Sequence, residues 1–107
     1  MIATPVRGRD AEARLARALH SSAHAAKLAI ELADVRARPW ASATFVGTQV
    51  SLVVSSPRSP ALGRWLSDLP LAELPMRDHL LASLALDRIE DDGSVVLTAI
   101  TALVIEN

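Results

Sequence analysis

Cysteine is absent from the 107 residues. That removes disulfides, thiolate metal sites and cysteine nucleophiles together. Tyrosine is absent as well, and the aromatic side chains are Trp40, Phe45 and Trp65 alone. Three scattered rings give successive nucleotide bases no platform to stack on. The four glycines, Gly8, Gly47, Gly63 and Gly93, stand far apart, so no glycine-rich loop exists to cradle a phosphate. A net charge of −1 exerts little pull on polyanions or anionic lipid. The uncharged run 41–57 is too polar to cross a bilayer. The first ten residues lack the apolar segment of a secretory signal. The expectation is a cytoplasmic chain with neither a membrane nor a nucleic-acid partner.

What is present is apolar. Half the residues are hydrophobic and 21% are charged, which is greasy for a small chain. Its length suits one domain that buries roughly 65% of its unfolded surface. Residues 1–9 read as a flexible arm and 10–107 as a single α+β domain.

The C-terminal part is the most informative. Residues 79–90 and 94–105 read as two long strands joined by Asp91-Asp92-Gly93, because an acidic-Gly cluster between apolar runs marks a tight reversal. In the first strand Leu80, Ala82, Leu84 and Leu86 share a face, with Leu81 and Ile89 as exceptions. A three-residue loop would set Leu84 opposite Ile100 and Leu80 opposite Val104. A two-residue loop would set Leu84 opposite Thr101 and Leu80 opposite Ile105. The first stacks apolar on apolar and is preferred. The second strand is apolar on both faces, the pattern of a strand covered on both sides.

Upstream, residues 11–37 are rich in helix formers behind a capping Asp10. At 100° per residue, Arg17, His20, His24 and Lys27 gather on one side and Leu15, Leu19, Ala26 and Ile30 on the other. Asp10 and Arg14 form a favourable i,i+4 pair, and Pro39 ends the predicted helix. A hairpin of 40–46 and 49–55 around Gly47-Thr48 follows. Ser59-Pro60 then starts a short helix over 61–69, with Leu62, Trp65, Leu66 and Leu69 on one face. The predicted fold is α-β-β-α-β-β: a long and a short helix packed on one four-stranded antiparallel sheet made of two hairpins.

Candidate chemistry is sparse. His20 and His24 have the i,i+4 spacing of zinc ligands. They lack the Glu of the His-Glu-x-x-His motif and sit beside Arg17 and Lys27. Glu31 and His79 are the conceivable third ligands, and no metal or cofactor is expected. No serine lies in a nucleophile elbow, and His79 beside Asp78 and Asp87 is the one candidate acid–base group. Arg7, Arg9, Arg14 and Arg17 form a small basic cluster interleaved with Asp10 and Glu12, which reads as a solvated helix start. Residues 1–38 carry seven bases and four acids, and 39–107 four bases and eight acids, so the two parts are electrostatically complementary.

Two functions of different kinds fit. The first is a non-catalytic interaction or assembly module, a homodimer built on the C-terminal hairpin through Leu97, Ile100, Leu103 and Ile105. One helical layer cannot cover both faces of the last strand, and that strand's edge is expected to be open. The second is a binder or enzyme for a small apolar ligand, its pocket lying between the long helix and the sheet and lined by Trp40, Phe45, Trp65 and His79.

Overall fold

In the computed structural model, which describes residues 6–106, the elements are α1 (Val6–Ala25), β1 (Glu31–Ala41), β2 (Val46–Pro57), α2 (Pro60–Asp68), β3 (His79–Asp91) and β4 (Val95–Glu106). A 3-10 turn, Leu69–Leu71, follows α2. The order is the α-β-β-α-β-β expected. The strands form one antiparallel sheet ordered β1-β2-β4-β3. Val6–Arg9 already belongs to α1, so that part of the predicted arm is helical, and 1–5 lie outside the described residues.

The long helix is shorter than its composition suggests. It ends at Ala25 in a backbone motif that satisfies its last carbonyls. The Lys27 N–H donates to the His24 carbonyl at 2.9 Å, and the Leu28 N–H reaches back to Ala23 at 2.8 Å. Lys27 adopts φ 61 to allow it. Helix propensity is a weak force. In 31–41 it loses to pairing with β2, where Leu32 faces Val54 and Ala37 faces Val50. Pro39, read as a helix stop, instead occupies an edge strand, where its missing N–H costs nothing. The turn also moves. Residues 42–45 make it, the Ser42 hydroxyl accepting from the Phe45 N–H at 3.0 Å. Gly47 lies inside β2, where a Cβ would collide with the Val104 carbonyl oxygen. Its role is close approach of β2 to β4, rather than a turn.

The short helix follows its sequence closely. The Ser59 hydroxyl accepts from the Leu62 N–H at 3.0 Å, with Pro60 at the first position, a cap worth about 1 kcal/mol. Its buried residues are Leu62, Trp65 and Leu66. They share one core with Ala11, Leu15, Leu19 and Ala23 of α1 and with Val50, Leu52, Val54, Ile100, Ala102 and Val104 of the sheet. Trp65 Nε1 donates to the Ser22 hydroxyl at 2.9 Å and joins the two helices. Ser56 donates to the Ala29 carbonyl at 2.8 Å and ties β2 to the segment after α1.

The C-terminal hairpin occupies almost the predicted residues, but neither single register applies throughout. At the tip Glu90 pairs with Leu97 and Ile89 with Thr98. A bulge at Asp87 shifts the pairing so that Leu86 meets Ile100 and Leu84 meets Ala102. A second at Ala82 brings Leu81 to Val104 and Leu80 to Ile105. Each extra residue reverses the in–out phase of the strand. The bulges therefore turn Leu81 and Ile89, the two exceptions to simple alternation, to the helix side and Leu80 to the other. β4, expected to have an open edge, lies between β2 and β3. The edges are β1 and β3.

A substitution pair tests this packing. Gly47→Ala should lower stability by about 1–3 kcal/mol, because backbone must move. Gly63→Ala, on an open helix surface, should leave stability unchanged or raise it by up to about 1 kcal/mol. Chemical denaturation measures both. A neutral Gly47→Ala would contradict the close approach of β2 and β4.

Candidate functional site

The register defines what the sheet shows on the side away from the helices. Successive cross-strand rows there are Trp40–Gly47–Ile105–Leu80, Arg38–Gln49–Leu103–Ser83, Arg36–Ser51–Thr101–Ala85, Ala33–Val53–Ala99–Arg88 and Glu31–Ser55–Leu97–Glu90. No element covers this outer face among the described residues, and the molecule measures 42 × 32 × 20 Å. Twenty ångströms is the thickness of one helix layer on one sheet. Leu97 is 40% exposed, Leu103 and Val53 are half-buried, and Leu80 is 55% exposed. Arg36, Arg38 and Glu31 stand on β1, and Asp87, Arg88 and Glu90 on β3, with Arg88 Nε 3.3 Å from Glu90 and the Thr101 hydroxyl donating to Asp87 at 2.5 Å.

The interface residues expected on β4 divide between the two faces. Leu97, Leu103 and Ile105 point outward, although Ile105 is itself largely covered. Ile100 faces Leu52 in the core at 1% exposure and is corrected to a core residue. The two-residue repeat assigns opposite faces to positions 97 and 100, so they cannot belong to one patch.

The four residues expected to line an apolar pocket are not brought together. Trp40 lies on the outer face, Phe45 is in the 42–45 turn at 53% exposure, Trp65 is buried in α2, and His79 opens β3 on the helix side. The space between α1 and the sheet is filled by Leu15 and Leu19, both fully buried. His79 is buried too. Its Nδ1–H donates to the Arg77 carbonyl at 2.8 Å, which leaves Nε2 facing Asp10 at 3.7 Å. Asp10 in turn stands 3.7 Å from Arg14, the i,i+4 pair read from the sequence. His20 and His24 are exposed on α1. Among the described residues no three His, Asp or Glu side chains converge as metal ligands.

Sequence reasoning missed a cleft of about 510 Å³ between α1 and residues 72–77, lined by Arg14, Arg17, Ser21, Glu73, Met76 and Arg77 among others. In the sequence Arg14 and Arg17 read as part of a solvated helix start. Their partner wall is an irregular connector whose path no periodicity reveals.

Electrostatic shifts concentrate at the hairpin tip. The Gly93 N–H and then the Arg58 guanidinium hold the Asp91 carboxyl below its usual 3.8, and the Val95 and Ser94 N–H groups do the same for Asp92. Asp92 Oδ1 accepts both of its bonds at 2.8 Å, and Arg58 Nε stands 2.9 Å from Asp91. Gly93 completes the turn with φ 92.

No protein family, curated protein or solved structure matches this chain.

The depressed carboxylates give a pH dependence of known sign. Their contribution is present above the ordinary Asp value and is lost as the pH falls through the lower folded values. Thermal melts from about pH 6 to about pH 2 should show a smaller acid-side fall in Asp92→Asn than in the wild type, because the amide keeps the acceptor and loses the charge. Identical slopes would contradict the assignment.

Proposed function

We propose that this chain is a non-catalytic module that self-associates as a twofold dimer through the outer face of its sheet. The outer face carries the reading: the central strand β4 presents Val95, Leu97 and Leu103 there, beside the largely covered Ile105, and no described element lies above them. Four strands about 4.8 Å apart and some eleven residues long present roughly 700 Å². That is comparable to the roughly 800 Å² per partner of a standard interface.

Charge selects the occupant and its orientation. A twofold axis between the sheets, running across the strands, reverses the order of the rows. Arg38 of one copy then lies over Glu31 of the other, and Leu97 over Leu103, each contact occurring twice. An axis along the strands would instead bring Glu31 over Glu90 and carries a like-charge cost. Edge-to-edge pairing is disfavoured, because β1 carries Pro39 and a bulge at Asp34–Val35 and β3 carries two bulges. Neither metal, cofactor, membrane nor nucleic acid enters this function, and a cytoplasmic setting suits a cysteine-free chain.

Light scattering should give twice the 11.4 kDa of one chain. Leu97→Lys with Leu103→Lys should give a folded monomer, whereas Ile100→Lys should unfold the chain. Arg38→Glu should weaken the dimer, and adding Glu31→Arg should restore it. A wild-type protein that stays monomeric at about 100 μM would end this reading.

A further inference from the structure

We infer that the cleft between α1 and residues 72–77 binds a small organic anion, an oxyanion head of carboxylate or phosphate-ester type on a short apolar body. On α1, Arg14, Arg17, Ala18, Ser21 and Ser22 recur at helical spacing and form one wall. Arg77 stands on the other wall, with Leu74 and Met76 supplying apolar surface. Three guanidiniums thus meet one lining carboxylate, Glu73.

Two of these three cations stand without an ion pair. Among the described residues neither Arg17 nor Arg77 has an ion-pair partner. Arg14 Nε is buried with no hydrogen-bond acceptor, its nearest carboxylate being Asp10 at 3.7 Å. Buried polar groups ordinarily find a partner, and a guanidinium fork matches a carboxylate or phosphate head. A polyanion is a poorer fit. The cations line a cleft rather than a strip, and Glu73 and Asp10 would repel a running backbone. The cleft lies in the helix layer, away from the outer sheet face, so occupancy and dimerisation are separately measurable.

The test titrates the full chain with phenyl phosphate and with benzoate, following backbone amides by NMR. Inorganic phosphate and benzyl alcohol serve as the head alone and the body alone. At least one of the two aromatic anions should give saturable shifts at 72–77 and on α1 from 14 to 22, and should bind more tightly than either control. The comparison between them identifies the preferred head. Arg17→Ala with Arg77→Ala, both at exposed positions, should weaken binding by about tenfold or more. Four results would each overturn the assignment: no saturation of the cleft by about 10 mM of either anion, affinity unchanged in the double variant, equal response to benzyl alcohol, or inorganic phosphate binding as tightly as the aromatic anions.

Discussion

One sheet with a single layer of helix sets the terms for the rest of this molecule. β4 is apolar on both faces, and α1 and α2 cover only one of them. Burying a side chain such as Leu or Ile stabilises by about 1.5–3 kcal/mol. The inner residues Ile100, Ala102 and Val104 gain that from the helix layer, whereas among the described residues nothing covers Leu97 and Leu103 fully. The helix layer is already committed. Its small buried residues, Ala11, Ala18 and Ala23, bring α1 close to the sheet, and Leu15 and Leu19 fill the space between.

The same economy governs the sheet's perimeter. The central strands β2 and β4 pair without interruption, while every bulge lies on an edge strand, one in β1 and two in β3. Bulges bend and twist a strand and spoil it as a template for a further one. They also correct the side-chain phase of β3, turning Leu81, Leu84 and Leu86 to the core despite their uneven spacing. The edges are thereby poor sites for a further strand, which leaves the outer face as the surface the proposed dimer would use. There the oppositely charged Arg38 and Glu31 stand three rows apart, a row and a half to either side of one centre.

Much of this was legible in the sequence because local signals agreed with the fold. Asp91-Asp92-Gly93, Ser59-Pro60 and the Leu15–Leu19 stripe each fix their elements through short-range bonds or periodicity. The boundary near residue 26 was not legible. Alanine-rich chain favours helix locally, and only pairing with β2 overrides that preference. Bulges were invisible because an extra residue changes the phase without changing composition, although the misfit of Leu81 and Ile89 was their trace. The first of these features accounts for the misplaced first hairpin, whereas grouping Ile100 with Leu97 in one interface conflicts with the two-residue repeat itself. The arginine cleft was not legible for a different reason: one wall is irregular chain, placed by tertiary packing alone.

Because the chain has no cysteine of its own, a single introduced cysteine can carry one spin label. The most direct measurement of face-to-face pairing is the intermolecular electron–electron distance for a label at Ser83, on the outer face, beside one at Arg64, on the exposed side of α2. Sheets packed about 10 Å apart with reversed rows should place the Ser83 labels roughly 20–30 Å from each other and the Arg64 labels beyond about 30 Å. The absence of any intermolecular distance at Ser83, or a shorter one at Arg64 than at Ser83, would contradict a dimer closed over the outer face.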